Sequence, residues 1–589
     1  MTFRNRIKRM DELIEVSKST IKEFGFWYFL QIAINELKKY KLDVFKYNNE
    51  KVQEDESGEN NYEAWLDSRR IQYKKIASKL EGFESESNFT IIIGIRKHNE
   101  DLLMNTLKSL KSQKIKKLKI FLKNEEKGYT VENIINKKEF KNFELEIFDN
   151  SRITNEENGY TVVMSCGDEF NVNIFYIIEK TINENENAEI IYFDEDIKSK
   201  YGKIEPNFKP NWSPELFLSK DYISNSYIIK NTILEKDIFQ KLEYIKMWKL
   251  ELLLKLTEIT NQIFHISTIV MSINKINIQN NSYDNEKKIE LIQKTIDKRN
   301  IDAEVFNSKY SDIFRIKYKL KEYPKVSILI PTKDNYRLLK RCLDSIKKLD
   351  YKNYEIIIID NDSTDEKTKN YLETLDFKIV EFKENFNFSK MNNEAAKIST
   401  GEYLLFLNDD IMALDKEWLS EMMSYCQLKE VGVVGSKLLL RDNRLQHGGI
   451  SLLTNGAGFH PMMGENSDNV LHNGYINTIK NCVAVTGACL LIKKNIFKEI
   501  NGFDEEFDLY YNDVDLCLKV QELGYRVVYT PHAKLLHDGS TTIKKQSDNA
   551  PFFAVENHLN MIKKWGSRKE MDPYYNKNLD FNFKLKTYD

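Results

Sequence analysis

The sequence predicts an α/β chain in which a helical N-terminal segment (1–85) precedes two tandem copies of one parallel-sheet domain (86–320 and 321–589). Three observations carry this. Apolar, β-branched runs such as Val326 to Ile330, Ile356 to Ile359 and Leu404 to Leu407 stop at Pro331-Thr332, Asp360-Asn361-Asp362 and Asn408-Asp409-Asp410, the pattern of buried parallel strands with acidic loops at their carboxyl ends. The run from Ile91 to Leu103 echoes that from Ile328 to Leu339 and continues without a gap, Leu107, Ser109 and Leu110 facing Leu343, Ser345 and Ile346, which is an internal repeat. A chain of 589 residues also exceeds what one core holds.

In chain order, Phe24 to Ile34 is strongly apolar and aromatic, with Lys38, Lys39 and Lys41 after it. Residues 24–41 are thus a candidate peripheral contact with an anionic membrane; packing on the chain's own domains or on a partner subunit weighs more. Residues 47–61 are polar and acidic, the composition of a flexible link.

The first copy has the pattern without the chemistry. Ile95-Arg96 stands where Pro331-Thr332 stands, the strand Leu118 to Leu122 runs into Lys123, and Val162 to Met164 ends in Ser165-Cys166-Gly167-Asp168 with a single carboxylate. These are loop positions, so a sheet survives them while a divalent-metal site loses ligands. Tyr192-Phe193-Asp194-Glu195-Asp196 reads as a solvated acidic loop, or with less weight as a relocated site. Residues 285–320 turn from helical to strand-like periodicity and bridge the copies.

In the second copy, Leu338, Leu339, Cys342, Leu343, Ile346 and Leu349 form a helical stripe. Beyond Asp410 follow a helix around Trp418, a strand from Val431, and a glycine-rich region with His447 and His460. A strand is then entered through Thr486-Gly487. Asn512-Asp513-Val514-Asp515 opens a helix that Gly524 stops, and a last strand leads to His537.

Composition bounds the function. The 30% charged residues cancel to a net charge of -2, which argues against nucleic acid as a partner. Six scattered cysteines without a CxxC read as buried thiols in a reducing compartment, so the expectation is a cytoplasmic protein. No apolar run reaches the ~18 residues of a membrane span, and no secretory signal opens the sequence.

Pro331-Thr332-Lys333-Asp334, Asp360-Asn361-Asp362-Ser363, Asn408-Asp409-Asp410, Thr486-Gly487-Ala488, Gly502-Phe503-Asp504 and Asn512-Asp513-Val514-Asp515 occur in that order. With them the second copy resembles the family 2 glycosyltransferases of GT-A fold, strongly over 323–575. Residues 86–300 are similar to a degenerate copy, as in tandem enzymes of bacterial O-antigen, capsule and rhamnan synthesis. The resemblance implies two GT-A (nucleotide-diphospho-sugar transferase, Rossmann-like) domains, the first non-catalytic, and a nucleotide-diphosphate sugar donor. It implies Mn²⁺ or Mg²⁺ at Asp410 and His537, a hard cation suiting carboxylates at a strand end. Pro331, Thr332, Asp334, Asp360, Asp362, Asn408 and Asp409 would line the donor pocket, with Thr486 and Gly487 where donor sugar and acceptor meet. Asp513 would be the base of an inverting displacement. His447, His460 and Asp515 are candidate acceptor contacts, with structural roles weighing as much. The sequence departs from the family in carrying Asn408 for the first acid of its DxD and Asn512 for the usual Glu before the base. The processive members' membrane helices and QxxRW motif are absent, so the expected acceptor is a growing, lipid-linked glycan at the cytoplasmic face that gains one or a few sugars. The rival readings are a tandem enzyme with both copies active, a non-catalytic glycan-binding scaffold, and a nucleotidyltransferase. Whether the protein forms a homo-oligomer is left open.

Overall fold

The structure, a computed structural model, describes residues 62, 65–69, 85–127, 129–149, 159–198, 204–223, 225–235, 237–280, 285–538, 550–568, 570–580, 583 and 585. The segments 24–41 and 47–61 lie outside the described residues.

Two large sheets dominate, and their strands follow one another in the same spatial order. The first runs Leu145–Ile147, Ile115–Asn124, Ser85–Ile95, Gly159–Ser165, Tyr227–Lys230, Ile190–Lys198, Ile263–Asn274 and Glu169–Phe170. The second runs Lys378–Glu381, Tyr354–Asp360, Val326–Thr332, Tyr403–Leu407, Cys489–Lys493, Val431–Leu439, Arg526–His537 and Ile411–Ala413. Pairing agrees strand for strand: the third and fourth strands pair parallel in each sheet, and the fourth meets the fifth antiparallel. The expected tandem GT-A fold is borne out.

The apolar runs are buried because both sheet faces are covered. One core cluster joins the copies, with Trp248 and Leu252 of the first and Val326, Ile328 and Trp418 of the second packed into a single body. Leu329, Phe406 and Leu490 point to the opposite face of the second sheet and fill a separate cluster, as the two-residue period of a strand requires. The bridge is a helix, Asn285–Lys298, followed by an antiparallel pair, Ala303–Asn307 and Phe314–Tyr318. Ser213 Oγ donates to Asn481 Oδ1 at 2.7 Å, and Arg526 pairs with Glu215 at 2.9 Å, between the copies.

The acidic run of the first copy is not a solvated loop. Asp194, Glu195 and Asp196 lie within the strand Ile190–Lys198 and are fully buried. Lys209 Nζ meets Glu195 at 2.9 Å, His265 Nε2 lies 2.9 Å from Asp194, and the Tyr62 hydroxyl donates to Asp196 at 2.8 Å. The cover comes from the far end of the chain. After the helix Ala550–Trp565 the backbone returns to the first copy, where Asn211 N donates to Pro573 O at 2.9 Å. Asn576 Nδ2 donates to both oxygens of Asp194 at 3.0 and 2.9 Å and to Lys209 O at 3.0 Å.

The same segment closes on the second copy through Asp572, whose carboxylate accepts from Leu452 N at 3.0 Å and Tyr574 N at 2.8 Å. Burial pushes this carboxyl up to about 7, against the pull of those two N–H groups. A carboxyl raised in the folded state lends stability at low pH and loses it as pH rises through its folded pKa. Relative to Asp572→Asn, the wild type should therefore lose stability between about pH 4 and pH 7, read as the difference in denaturation midpoints across that range. A pH-independent difference would contradict the assignment.

Candidate active site

The carboxyl edge of the second sheet gathers most of the residues singled out from the sequence. Thr332 is level with Asp360 in the parallel register, and Asn408-Asp409-Asp410 follows the neighbouring strand Tyr403–Leu407. Leu407 faces Cys489 in the antiparallel pair beyond, so Thr486-Gly487-Ala488 reaches the same edge, and Asn408 N donates to Ala488 O at 3.0 Å.

Asp410 and His537 are brought together by a two-strand clamp. Ile411–Ala413 pairs antiparallel with the end of Arg526–His537, setting Ile411 opposite His537. His537 Nε2 lies 3.0 Å from Asp410 Oδ1, a buried oxygen that accepts no aligned hydrogen bond. Asp538 N donates to Asp410 O at 3.1 Å, and the Asp538 carboxylate is gripped by Arg341 and by Arg441, the latter at 2.6 Å. These guanidinium hydrogen bonds hold the Asp538 carboxyl below the usual carboxylate range and fix the turn that carries His537.

Asp513 lies in the first turn of the helix Asn512–Glu522. Its Oδ2 accepts from Gly487 N and its Oδ1 from Val514 N, both at 2.9 Å. Burial raises its pKa above the ordinary carboxylate value although these N–H groups favour the anion, which makes it a stronger base than a free aspartate. The residue entering the helix is Tyr511, at φ 62° and ψ 0°, a left-handed conformation costly for a side chain with a Cβ. Asn512 is not the cap; its amide donates to Leu509 O at 2.9 Å. The Tyr511 hydroxyl accepts from Gly458 N at 3.2 Å and lies 3.0 Å from His558 Nδ1.

The proposed donor positions divide into two kinds. Asp409 Oδ2 accepts from Thr332 Oγ1 at 2.7 Å and from Asn335 Nδ2 at 3.1 Å, and burial lifts this carboxyl to about 7. Asp334, at φ 50°, accepts from Thr364 N and Asp365 N at 2.6 and 2.7 Å. It staples the loop after the first strand to the loop after the second, and its other carboxylate oxygen accepts from Thr364 Oγ1 at 3.3 Å. Pro331, Asp360 and Asn408 are half-exposed and Asp362 is exposed at the same edge, open to solvent and ligand.

Of the acceptor candidates, Asp515 is turned away from the cleft. It is fully buried, accepts from Trp565 Nε1 at 2.9 Å and pairs with Lys564 at 2.7 Å, anchoring the C-terminal helix. His447 and His460 meet each other, Nδ1 to Nδ1, at 2.9 Å, and Thr486 N donates to His447 Nε2 at 3.4 Å. His447 therefore carries its proton on Nδ1 and gives it to His460 Nδ1, so His460 keeps its own proton on Nε2. Burial holds both rings neutral, His460 at about 4 and His447 well below its ordinary value. The pair braces the Thr486-Gly487 loop from beneath.

The corresponding edge of the first copy is filled by its own side chains. Counting from the paired positions Ile93–Leu122 and Leu329–Ile357, Glu125 and not Lys123 stands level with Asp360. That acid is consumed, since Arg96 pairs with it at 3.0 Å and Trp248 Nε1 donates to it at 2.6 Å, all buried. Asp168 accepts from Ser165 N, Asn274 N and Asn277 Nδ2 at 3.1, 3.0 and 2.9 Å. The position matching His537 in register is Ser272, which faces Glu169. Lys249 fills the space beside them, donating to Ser165 Oγ at 2.6 Å.

Asn335, Arg341, Arg441 and Tyr511 were not read from the sequence. Only Asn335 gave a local signal, lying next to the first-strand motif; the arginines become informative only once the last strand is seen to end beside them.

Residues 327–500 match the family profile "Glycosyl transferase family 2". The chain is 31% identical to the "O-antigen biosynthesis protein RfbC" of Myxococcus xanthus over 408 residues, 66% of this chain and 31% of that one. It is 29% identical to "Uncharacterized protein y4gI" of Sinorhizobium fredii (strain NBRC 101917 / NGR234), covering 73% of this chain and 49% of that one. It is 25% identical to "Rhamnosyltransferase WbbL" of Escherichia coli (strain K12), covering 43% of this chain and 97% of that one. The chain thus spans about a third and about half the length of the first two relatives.

Proposed function

Because the chain carries a glycosyl transferase family 2 domain, we propose that it transfers a sugar, with inversion, from a nucleotide-diphosphate donor to a hydroxyl of a growing, lipid-linked cell-surface glycan. The observation that carries this reading is the junction of Asp513 with Gly487 N at 2.9 Å, which sets a partly buried carboxylate of raised pKa on the edge that also holds Asp409, Asp410 and His537. The Asp513 carboxylate takes the acceptor hydroxyl's proton as that oxygen forms its bond to the anomeric carbon. The bond from the anomeric carbon to the phosphate oxygen breaks, and the nucleoside diphosphate leaves with the electron pair. The edge residues Pro331, Asp360, Asp362 and Asn408 line the donor side, and Asp409 is held beneath them by Thr332 and Asn335.

The pair Asp410 and His537 fits a divalent cation, Mn²⁺ or Mg²⁺, since a buried carboxylate oxygen without an aligned donor faces an imidazole nitrogen. Bound there, the cation would neutralise the departing diphosphate as a Lewis acid. Among the described residues no group of three or more His, Cys, Asp or Glu forms a metal cluster, so donor phosphates and water would complete the shell. In the presence of a nucleoside diphosphate, Mn²⁺ affinity should fall in Asp410→Ala and in His537→Ala by at least the ~10-fold that loss of an outer-shell partner costs. Titration calorimetry reads this directly, and unchanged affinity in both variants would remove the pair from the site.

We propose further that the first copy is non-catalytic, its edge being occupied by Arg96, Glu125, Trp248 and Lys249. All six cysteines are free and buried, which suits a reducing compartment. We place the protein in the cytoplasm, at the membrane face that presents the acceptor; no helix among the described residues is long and apolar enough to cross a membrane. The reaction class is tested by the anomeric configuration of the product, read from NMR couplings. Inversion relative to the donor is expected, and retention would overturn the single-displacement reading.

A further inference from the structure

A cavity of about 840 Å³ lies between the two copies and the C-terminal segment, away from the donor edge. This is the size range of ligand sites, about 300–1,000 Å³. Its walls come from the helix Phe175–Glu184 and the strand Ile263–Asn274 of the first copy, and from the loop at Leu452 to Thr454 and residues 570–577 of the second. Trp212, Phe264 and Tyr574 line it and are only partly buried. Beside them stand the neutral polar side chains of Asn185, Asn211 and Thr268. The charges in the lining are of both signs, with Lys180, Arg568 and Lys577 beside Glu184, Glu570 and the buried Asp572.

The cavity connects to the catalytic edge through one short hairpin. Ser451 pairs with Phe459 and Leu452 with Gly458, so the Leu452 to Thr454 wall and His460 are opposite ends of the same element. Gly458 N donates to the Tyr511 hydroxyl at 3.2 Å, two residues before Asp513, and the Phe459 ring packs edge-on to Tyr575 of the cavity lining at 5.3 Å. Gly458 is paired with Leu452 of the cavity wall, so the hairpin meets the cavity and Tyr511 at the same level.

We propose that this groove binds the glycan chain of the acceptor behind its reacting residue. Flat aromatic faces suit the apolar C–H faces of sugar rings, while amides and hydroxyls answer sugar hydroxyls as both donors and acceptors. Glu184 and Glu570 in the lining disfavour a polyanion or a nucleotide. On this reading, which rests on the glycosyl-transfer function above, the first copy supplies one wall of an acceptor groove in place of a reaction centre.

The test is equilibrium binding of defined bacterial mono- and oligosaccharides, presented as an array, to the full chain, to Trp212→Ala and to Thr454→Trp. Trp212 also packs against the shared core, so loss of that ring risks the fold; Thr454 is exposed, and a tryptophan there narrows the groove without opening a core. Oligosaccharides should bind more tightly than their terminal monosaccharide, and Thr454→Trp should weaken them by about tenfold or more. Failure of every oligosaccharide to bind, or equal binding by wild type and Thr454→Trp, would overturn the groove. Donor turnover is scored separately by nucleoside diphosphate release, so groove-dependent glycan binding without any release would sink the transfer reading and leave the glycan groove standing.

Discussion

Asp513→Asn is expected to lower kcat by about 10²–10⁴-fold, the usual contribution of a positioned general base. The substitution keeps the shape and the bond from Gly487 N, because an amide oxygen accepts as a carboxylate oxygen does, while the bond from Val514 N is lost because an NH₂ group cannot accept it. It also removes the capacity to take a proton, so turnover should collapse while donor affinity stays near wild type and stability falls only by the ~1–3 kcal/mol that an unpaired Val514 N–H costs. The pH profile separates this from a structural effect. Burial holds the Asp513 carboxyl above its ordinary range, so wild-type kcat/KM rises with pH as that group ionises. In the asparagine variant that limb should vanish. A variant that kept the wild-type pH limb would show that another group takes the proton.

The largest expected effect on stability lies in the first copy, at Lys209→Met. Lys209 is 1% exposed and its partner Glu195 is 0% exposed. Asp194 and Asp196 adjoin Glu195 in the same buried strand. Removing the lysine leaves a buried carboxylate without its cation, a change that costs about 3–5 kcal/mol when one partner of a buried pair is deleted. Glu195→Gln introduced with Lys209→Met should recover part of the loss, because the uncompensated charge then disappears. The effect should reach the C-terminal segment as well, since Asn576 docks on Asp194 and on Lys209 O. A denaturant midpoint close to wild type for Lys209→Met would mean that the cluster is balanced without this cation.

Most of the fold was legible because its signals are local. Strands such as Ile356 to Ile359 are continuous apolar runs, which only a sheet covered on both faces explains. The repeat was visible because the opening strand and helix kept their spacing in both copies. The acidic run Asp194 to Asp196 was misread for a matching reason. Its burial depends on Tyr62 and on Asn576, both far away in sequence, and no local window holds that information. The apolar residues of that strand end at Leu122, which puts Lys123 at the strand end in the sequence, whereas hydrogen bonding carries the strand on to Asn124 and sets Glu125 level with Asp360.

The candidate site shows the same division. Motif residues at strand ends came together because one sheet edge collects them. Asp515 shares a helical turn with Asp513 yet faces Trp565 and Lys564, and the sequence spacing alone did not reveal which of the two acids looks into the cleft. Asp334 was read as a pocket residue, but its left-handed backbone turns the carboxylate onto the backbone N–H groups of Thr364 and Asp365.

The central claim, that this chain turns over a nucleotide sugar at Asp513 with a cation at Asp410, is tested most directly by a donor screen. The purified chain, Mn²⁺ or Mg²⁺ and a panel of UDP-, dTDP- and GDP-sugars are scored for release of free nucleoside diphosphate, alongside Asp513→Asn and Asp410→Ala. Release with one donor, lost in both variants, is the predicted result. Release that persists undiminished in both variants would place the chemistry in the first copy and contradict the assignment.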